Sequence, residues 1–261
     1  MSDDVRDLIV EARASVVQDI VYAPIRGGAL SQQVVRRIAE AISVGILRPG
    51  DRLPPESQFA SWLGVSVAVV REALAILRET GYVETERGHG GGTVVRRGPE
   101  PPTLAEARQA MAKFTPEYVS DLMDLRVAIS GEAAALAAQR APDSALSRIS
   151  ELAAQMCTAE SYDDYRQIDP RFHIAISGAS GSTRLAAAEV RLQVEIGEMA
   201  AAILRLAPDI ETSTIFHTSD DGHRDIVQAL TRRDAEGSRA AMTEHVLGMR
   251  DLFVVTAARI S

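Results

Sequence analysis

PGDRLPPESQFASWLGVSVAVVREALAILRETGYVETERGHGGGTVV, residues 49–95, is the stretch that decides the fold. Pro49-Gly50-Asp51 reads as a turn, and Arg52 to Pro55 as a short extended piece, because proline removes amide donors and holds φ. Pro55 can open a helix over Glu56–Leu63, with an acid in its first turn. Gly64 supplies a turn. Ser66 is a good N-cap for a further helix from Val67 to Thr80, which Gly81 ends. Val70, Leu74 and Leu77 form the buried face of that helix; Val67, Ala68 and Arg71 lie at its start on a different face. Two strands follow, Tyr82–Glu86 and Thr93–Arg96. Between them the run Arg87-Gly88-His89-Gly90-Gly91-Gly92 is dense enough in glycine to let backbone approach a phosphate or a minor groove. Upstream, Val34, Ile38, Ala41, Ile42 and Ile46 make one face of another helix, with Gly45 near its end. Three short helices and a two-stranded wing form a winged helix-turn-helix, a fold that offers the start of its last helix to the major groove of DNA.

The charge distribution permits that reading. The chain has 261 residues and a net charge of −8, yet residues 25–97 hold ten Arg against seven acids. The flanks carry the acid: residues 1–24 stand at −3 and residues 98–261 at −8. A basic excess confined to one segment is what phosphate contacts need. The single cysteine, Cys157, rules out disulfides and fits a reducing compartment. No apolar run approaches the roughly 20 residues of a membrane span. The acidic start, MSDDVRDLIVEARAS, lacks the basic opening of a secretory signal. A cytoplasmic location is therefore expected.

Outside the winged unit (residues 25–97), residues 1–24 read as an extension with a possible short helix, and 98–103, GPEPPT, as a linker. From 104 to 258 the pattern is helical almost throughout. Breaks fall at Thr115-Pro116, Ala141-Pro142-Asp143, Gly178 to Thr183, Ala207-Pro208-Asp209 and Arg233-Asp234. The expected fold is mainly α: a winged helix-turn-helix followed by an antiparallel bundle of six or seven helices.

The bundle carries chemistry. His173 lies four residues after Asp169, on the same helix face if residues 167–177 are helical. His223 stands eleven residues before Asp234, and His245 eleven after it. Asp234 reads as the cap of the last helix. Equal offsets from a tight antiparallel turn put the two histidines level, about 16 Å from it. Three helices can thus aim Asp169, His173, His223 and His245 at one point. Any one of these histidines alone reads as an ordinary core or surface residue; the matched set favours a divalent metal. Three imidazoles and a carboxylate suit Zn first, with Ni, Fe or Mn open. His217 falls outside the set and is expected in a loop near a helix start. Trp62 is expected in a core.

Residues 49–95 also closely resemble the winged-helix domain of the GntR family, above all in Leu53-Pro54 and Val70-Arg71-Glu72-Ala73-Leu74. The resemblance covers roughly residues 25–97. It implies a DNA-binding repressor or activator, usually a homodimer on a palindromic operator. Ser66, Val67, Ala68 and Arg71 would face double-stranded DNA, with Arg87, His89 and Gly90 on the wing. The family commonly has Arg at the positions of Ser57 and Val67. Loss of a bidentate guanine reader there is worth about 1–3 kcal/mol of discrimination, so the usual operator sequence does not carry over.

The second half resembles the FCD ligand-sensing domain of the FadR-type branch. The matching residues are Asp169-Pro170-Arg171-Phe172-His173, His223-Arg224-Asp225-Ile226-Val227-Gln228-Ala229-Leu230, and His245. The resemblance spans roughly residues 104–255 and implies a helical bundle that holds a metal and takes a small organic acid as effector. Arg126 matches a first-helix pattern and would pair with the effector carboxylate. Ser130, where Glu is common, and Ser182, where Asn is usual, both depart near the expected pocket. Two rivals are a regulator for which metal itself is the signal, and a metal-dependent hydrolase. The sequence offers no nucleophile motif for the second.

Overall fold

The computed structural model describes residues 21–22, 24–25, 29–86, 91–96, 101–159, 162–207 and 212–260, without the side chains of 162–163, 212–220, 257 and 259–260. The chain forms two compact units, residues 1–100 and 101–261.

In the first unit, α1 (Leu30–Ser43) buries Val34, Ile38, Ala41 and Ile42. It stops earlier than its apolar spacing suggests. The Ser43 hydroxyl donates to the Glu40 carbonyl, and Gly45 takes a φ of 70°. Ile46 is still buried, but beyond the helix end. Helix α2 (Glu56–Leu63) has Pro55 as its N-cap rather than its first residue, and the left-handed Gly64 (φ 65°) closes it. Helix α3 (Val67–Glu79) is capped by Ser66, whose hydroxyl accepts from the Val69 amide at 3.3 Å. Val70, Ala73, Leu74 and Leu77 are its buried face.

Strands β1 (Val83–Glu86) and β2 (Gly92–Val95) pair antiparallel, with Val83 opposite Val95 and Glu86 opposite Gly92. The proline-flanked piece joins them through an Arg52–Val94 bridge and a bond from the Leu53 amide to the Thr93 carbonyl. Val21 and Tyr22, read from sequence as part of an extension, are buried. The Tyr22 ring packs 5.1 Å from Phe59 and stacks 5.3 Å from Trp62, which is half-buried. The core of this unit therefore recruits chain upstream of residue 25.

The second unit contains seven helices among the described residues: α4 (Leu104–Met111), α5 (Pro116–Arg140), α6 (Asp143–Cys157), α7 (Tyr162–Ala179), α8 (Thr183–Leu206), α9 (Thr212–Thr231) and α10 (Ala235–Ile260). Their starts follow from local chemistry. Thr103 and Glu106 form a reciprocal capping box on α4. Thr115 caps α5 with Pro116 at its first turn. Ser182 caps α8. The break between α6 and α7, at Thr158, was not among those expected: it holds no proline or glycine.

Helix α5 buries Ala133, Ala134, Ala135, Ala137 and Ala138. Small side chains let neighbouring backbones approach closely, and α10 packs along it. At the α9–α10 turn, Arg233 adopts a φ of 58° and donates 2.5 Å to the Ala141 carbonyl while pairing with Asp143. That ties the α9–α10 turn to the α5–α6 turn. Asp234 then accepts from the Gly237 amide at 2.9 Å, starting α10. Among the described residues no single helix is long and apolar enough to cross a membrane.

Candidate metal and effector site, and the DNA-facing helix

Pro170 sits inside α7 without ending it, and one turn of that helix carries Asp169 and His173. His223 comes from α9 and His245 from α10. The turn at Asp234 makes the last two level, and their ring centroids lie 4.5 Å apart. His173 stacks 5.1 Å from His245 and stands 5.4 Å from His223. All three imidazoles are buried, and a nitrogen from each lies within 4.8 Å of the others. Asp169 stands at the edge of this cluster: its Oδ1 is 3.2 Å from Nε2 of His223 and 3.8 Å from Nε2 of His173. Neither nitrogen of His173 or His223 has a hydrogen-bond partner among the described residues.

Buried ring nitrogens left without well-formed hydrogen bonds are costly unless something binds them. A divalent cation fits this donor set, since neutral imidazole is its preferred nitrogen ligand. The electrostatics agree. Burial, then the field of Arg126, pushes His173 well below its ordinary range. Burial, then His223 and His173, does the same to His245. Burial alone would raise the Asp169 carboxyl; the contact with His223 and the fields of His173 and Arg126 outweigh it and hold it below the usual carboxylate range. The site thus favours neutral His173 and His245 beside an ionised Asp169, the protonation state that metal binding requires.

A cavity of about 50 Å³ opens beside this cluster, against roughly 10–15 Å³ needed for one water. Arg126 from α5, Tyr165, Arg166 and Asp169 from α7, Gln193 from α8 and His245 from α10 line its polar side. The Arg126 side chain is only 2% exposed and its Nε has no hydrogen-bond partner among the described residues. Two acids of the same helix are engaged elsewhere: Asp124 lies 3.9 Å from Arg250, and Glu132 2.7 Å from Arg239.

Sequence reading missed the support beneath the cavity. Glu189, fully buried, accepts from the Ser130 hydroxyl at 2.6 Å and from the Gln193 amide at 2.8 Å. Ser130 had been read only as a departure from a pattern. It also missed Gly222, where an added Cβ would lie 2.8 Å from Nδ1 of His245. A bare backbone beside one ligand seats the next. Tyr165, one turn before Asp169, donates to its Oδ1 at 3.3 Å. His217 lies within α9, not in a loop, and its side chain is outside the described residues.

On α3, Ala68 and Arg71 are exposed and Val67, beside the buried face, is half-buried. Arg71 Nε donates to Glu56 of α2 at 2.6 Å while its side chain stays 69% exposed. Arg87, His89 and Gly90 lie outside the described residues.

Residues 30–95 match the profile described as bacterial regulatory proteins, gntR family, and residues 121–248 match the FCD domain. RmpR of Mycobacterium gastri, which carries the name of an HTH-type transcriptional regulator, is 35% identical over 231 residues, covering 88% of this chain and 82% of its own. The chain belongs to the GntR family of bacterial transcriptional regulators. Two further relatives come from Escherichia coli K12. The protein named for regulation of the L-lactate dehydrogenase operon is 30% identical over 225 residues, 83% of each chain. The Exu regulon transcriptional regulator is 29% identical over 217 residues, 83% of this chain and 81% of its own. Members of the family bind operator DNA, and this GntR chain is a transcriptional regulator with an FCD domain, not an enzyme.

Proposed function

We propose that this GntR regulator is a cytoplasmic repressor whose grip on its operator is controlled by a small organic acid, bound beside a divalent metal in the FCD bundle. Asp169, His173, His223 and His245 would hold the ion, with zinc the first candidate and nickel, iron or manganese the others. The observation that carries this reading is the buried Arg126 side chain, its Nε without a hydrogen-bond partner among the described residues, on the same cavity as Asp169 and His245. A planar fork in that position matches a carboxylate in two bonds, as lysine would not. When bound, the ion would offer open coordination positions to a carboxylate oxygen. Among the relatives, one is named for regulation of the L-lactate dehydrogenase operon, which is in keeping with a small organic acid as effector.

The DNA-facing set is Ser66, Val67, Ala68 and Arg71 on the helix, with Arg87, His89 and Gly90 on the wing. Ser66 holds the helix start, and the exposed Arg71 would reach a base edge or phosphate. A homodimer on a palindromic site follows from the way such half-sites are read. Acid binding would act by favouring one arrangement of the two DNA heads, which requires unequal acid affinity in the two states.

The experiment is a screen of small carboxylates by thermal shift, with and without chelator, followed by operator release in a gel shift. Acids should raise Tm only in metal-loaded protein and should release DNA. Compounds that stabilise the chelated protein equally, or neutral and cationic compounds as the best hits, would overturn the mechanism. If metal alone shifts operator affinity and acids do nothing, the chain is a metal-responsive regulator.

A further inference from the structure

The cavity beside the imidazoles is graded from polar to apolar. Along α8 the residues that line it are Gln193, Ile196, Gly197 and Ala200, one helix face at steps of three and four. Along α10 they are His245, Met249 and Phe253, at steps of four. On both helices the lining passes in the chain direction from a group that can bind an acid to groups that cannot hydrogen-bond through a side chain. Met249 and Phe253 are nevertheless less than a tenth exposed.

Gly197 is the anomaly in this lining. It stands inside the 24-residue helix α8 with no left-handed φ to require glycine. A Cβ added there would meet nothing within 4 Å. Gly131 and Gly222, by contrast, sit where a neighbour crowds the backbone. A mid-helix glycine costs backbone entropy that alanine does not, and no protein atom needs the room it leaves. The space over its backbone belongs to the cavity.

Resting on the acid-sensing reading above, we propose that Gly197 sets the depth of the effector pocket, and that the effector is a small monocarboxylate with an unbranched apolar tail. The carboxylate lies at Arg126, and the tail runs over the bare backbone of Gly197 toward Met249 and Phe253. Against the apolar faces of α8 and α10, sugar acids and dicarboxylates would bury hydroxyls or a second charge without a side-chain partner; the α7 wall adds Tyr165 and Arg166, both already engaged with other groups.

The test uses the full chain loaded with zinc and titrated calorimetrically with acetate, propionate, butyrate, pentanoate and hexanoate, then with gluconate and succinate. Metal content of every variant is measured beside it. Wild-type affinity should rise about three- to fourfold per methylene along the alkyl series, and gluconate and succinate should bind more weakly than butyrate. Gly197→Ala should raise Tm by roughly 2–4 °C and shorten the series. Gly197→Val should leave acetate affinity within twofold and cost pentanoate tenfold or more, with metal content unchanged. The inference is overturned if gluconate or succinate binds best, or if Gly197→Val leaves the chain-length dependence as it was. A Gly197→Ala protein that melts lower and binds the whole series normally assigns the glycine to packing and also overturns it. If no carboxylate binds zinc-loaded wild type, the acid-sensing reading itself falls and this inference with it.

Discussion

His223 and His245 place their imidazole centroids 4.5 Å apart although 22 positions separate them, because the α9–α10 turn lies midway. Gly222 completes the arrangement by leaving room for the His245 ring. His223→Ala should therefore lose most of the bound divalent metal in elemental analysis of purified protein. Gly222→Ala keeps every ligand yet pushes on His245, and should weaken metal affinity roughly 10–100-fold, the scale at which support of ligands is felt. Purified wild type with no metal, and no uptake of added zinc, nickel or manganese, would disprove the site.

The protein freed of metal by chelation should be sensitive to mild acid. Burial, aided by neighbouring positive fields, holds His173 and His245 well below their ordinary range in the fold. Unfolding returns both to about 6.5. The unfolded chain then takes up protons first, so these groups cost nothing above about pH 7 and destabilise the fold as pH drops through 6.5. The limiting slope is about 2.7 kcal/mol per pH unit for two groups. Asp169, also held low, adds loss in the same direction only near pH 4 and below. Urea midpoints of chelated protein at pH 7.5, 6.5 and 5.5 measure this. A flat profile would mean that the imidazoles accept protons within the fold.

At the other end of the chain, Arg71 is held by Glu56 but remains largely exposed. Positions 57 and 67 carry no arginine, so Arg71 is the guanidinium left at the start of α3. Arg71→Ala should weaken specific operator binding by about 1–3 kcal/mol if it reads a base in two bonds. Because an exposed ion pair contributes about 0–1 kcal/mol to stability, Tm should barely move. Val67→Arg should shift preference among operator variants. Anisotropy titrations in which Arg71→Ala binds the operator as tightly as wild type would remove it from the interface.

Much of this fold was legible because its punctuation is chemical. Ser66, Gly64 and Gly81 bound α3, Thr115-Pro116 opens α5, and Arg233-Asp234 turns the last hairpin, through side-chain caps, a proline or a positive φ. The α6–α7 break at Thr158 was not legible, since it holds no proline or glycine to forbid a helix. Tyr22 was assigned to an extension because a single aromatic shows no period; only its contacts with Phe59 and Trp62 reveal it as core. The histidines could be aligned by counting from one turn. The buried role of Glu189 could not be read that way, since its partner Ser130 lies 59 positions away on another helix. Gly197 and Gly222 look alike in sequence; only the space around each separates a pocket wall from a helix contact.

Arg126 supplies the last prediction, in which stability and sensing move in opposite directions. Its guanidinium is buried, its Nε is unpartnered, and the acids at 124 and 132 pair with Arg250 and Arg239 instead. Asp169 lies on the same cavity and feels the field of Arg126, but a buried charge with incomplete hydrogen bonding is still costly. It also sits near a site proposed to hold a second positive charge. Arg126→Met keeps much of the volume and removes both costs. Replacing buried charge by apolar volume is neutral or stabilising by about 1–4 kcal/mol, so the acid-free variant should melt at the wild-type temperature or several degrees above it. Its metal affinity should be retained or improved. The Tm shift produced by carboxylates should vanish, and operator binding should no longer respond to them. Differential scanning calorimetry with and without acid, on metal-loaded protein, reads both effects. If Arg126→Met instead melts well below wild type and keeps the acid-dependent shift, the guanidinium is a structural strut, and the carboxylate must be held elsewhere in the cavity.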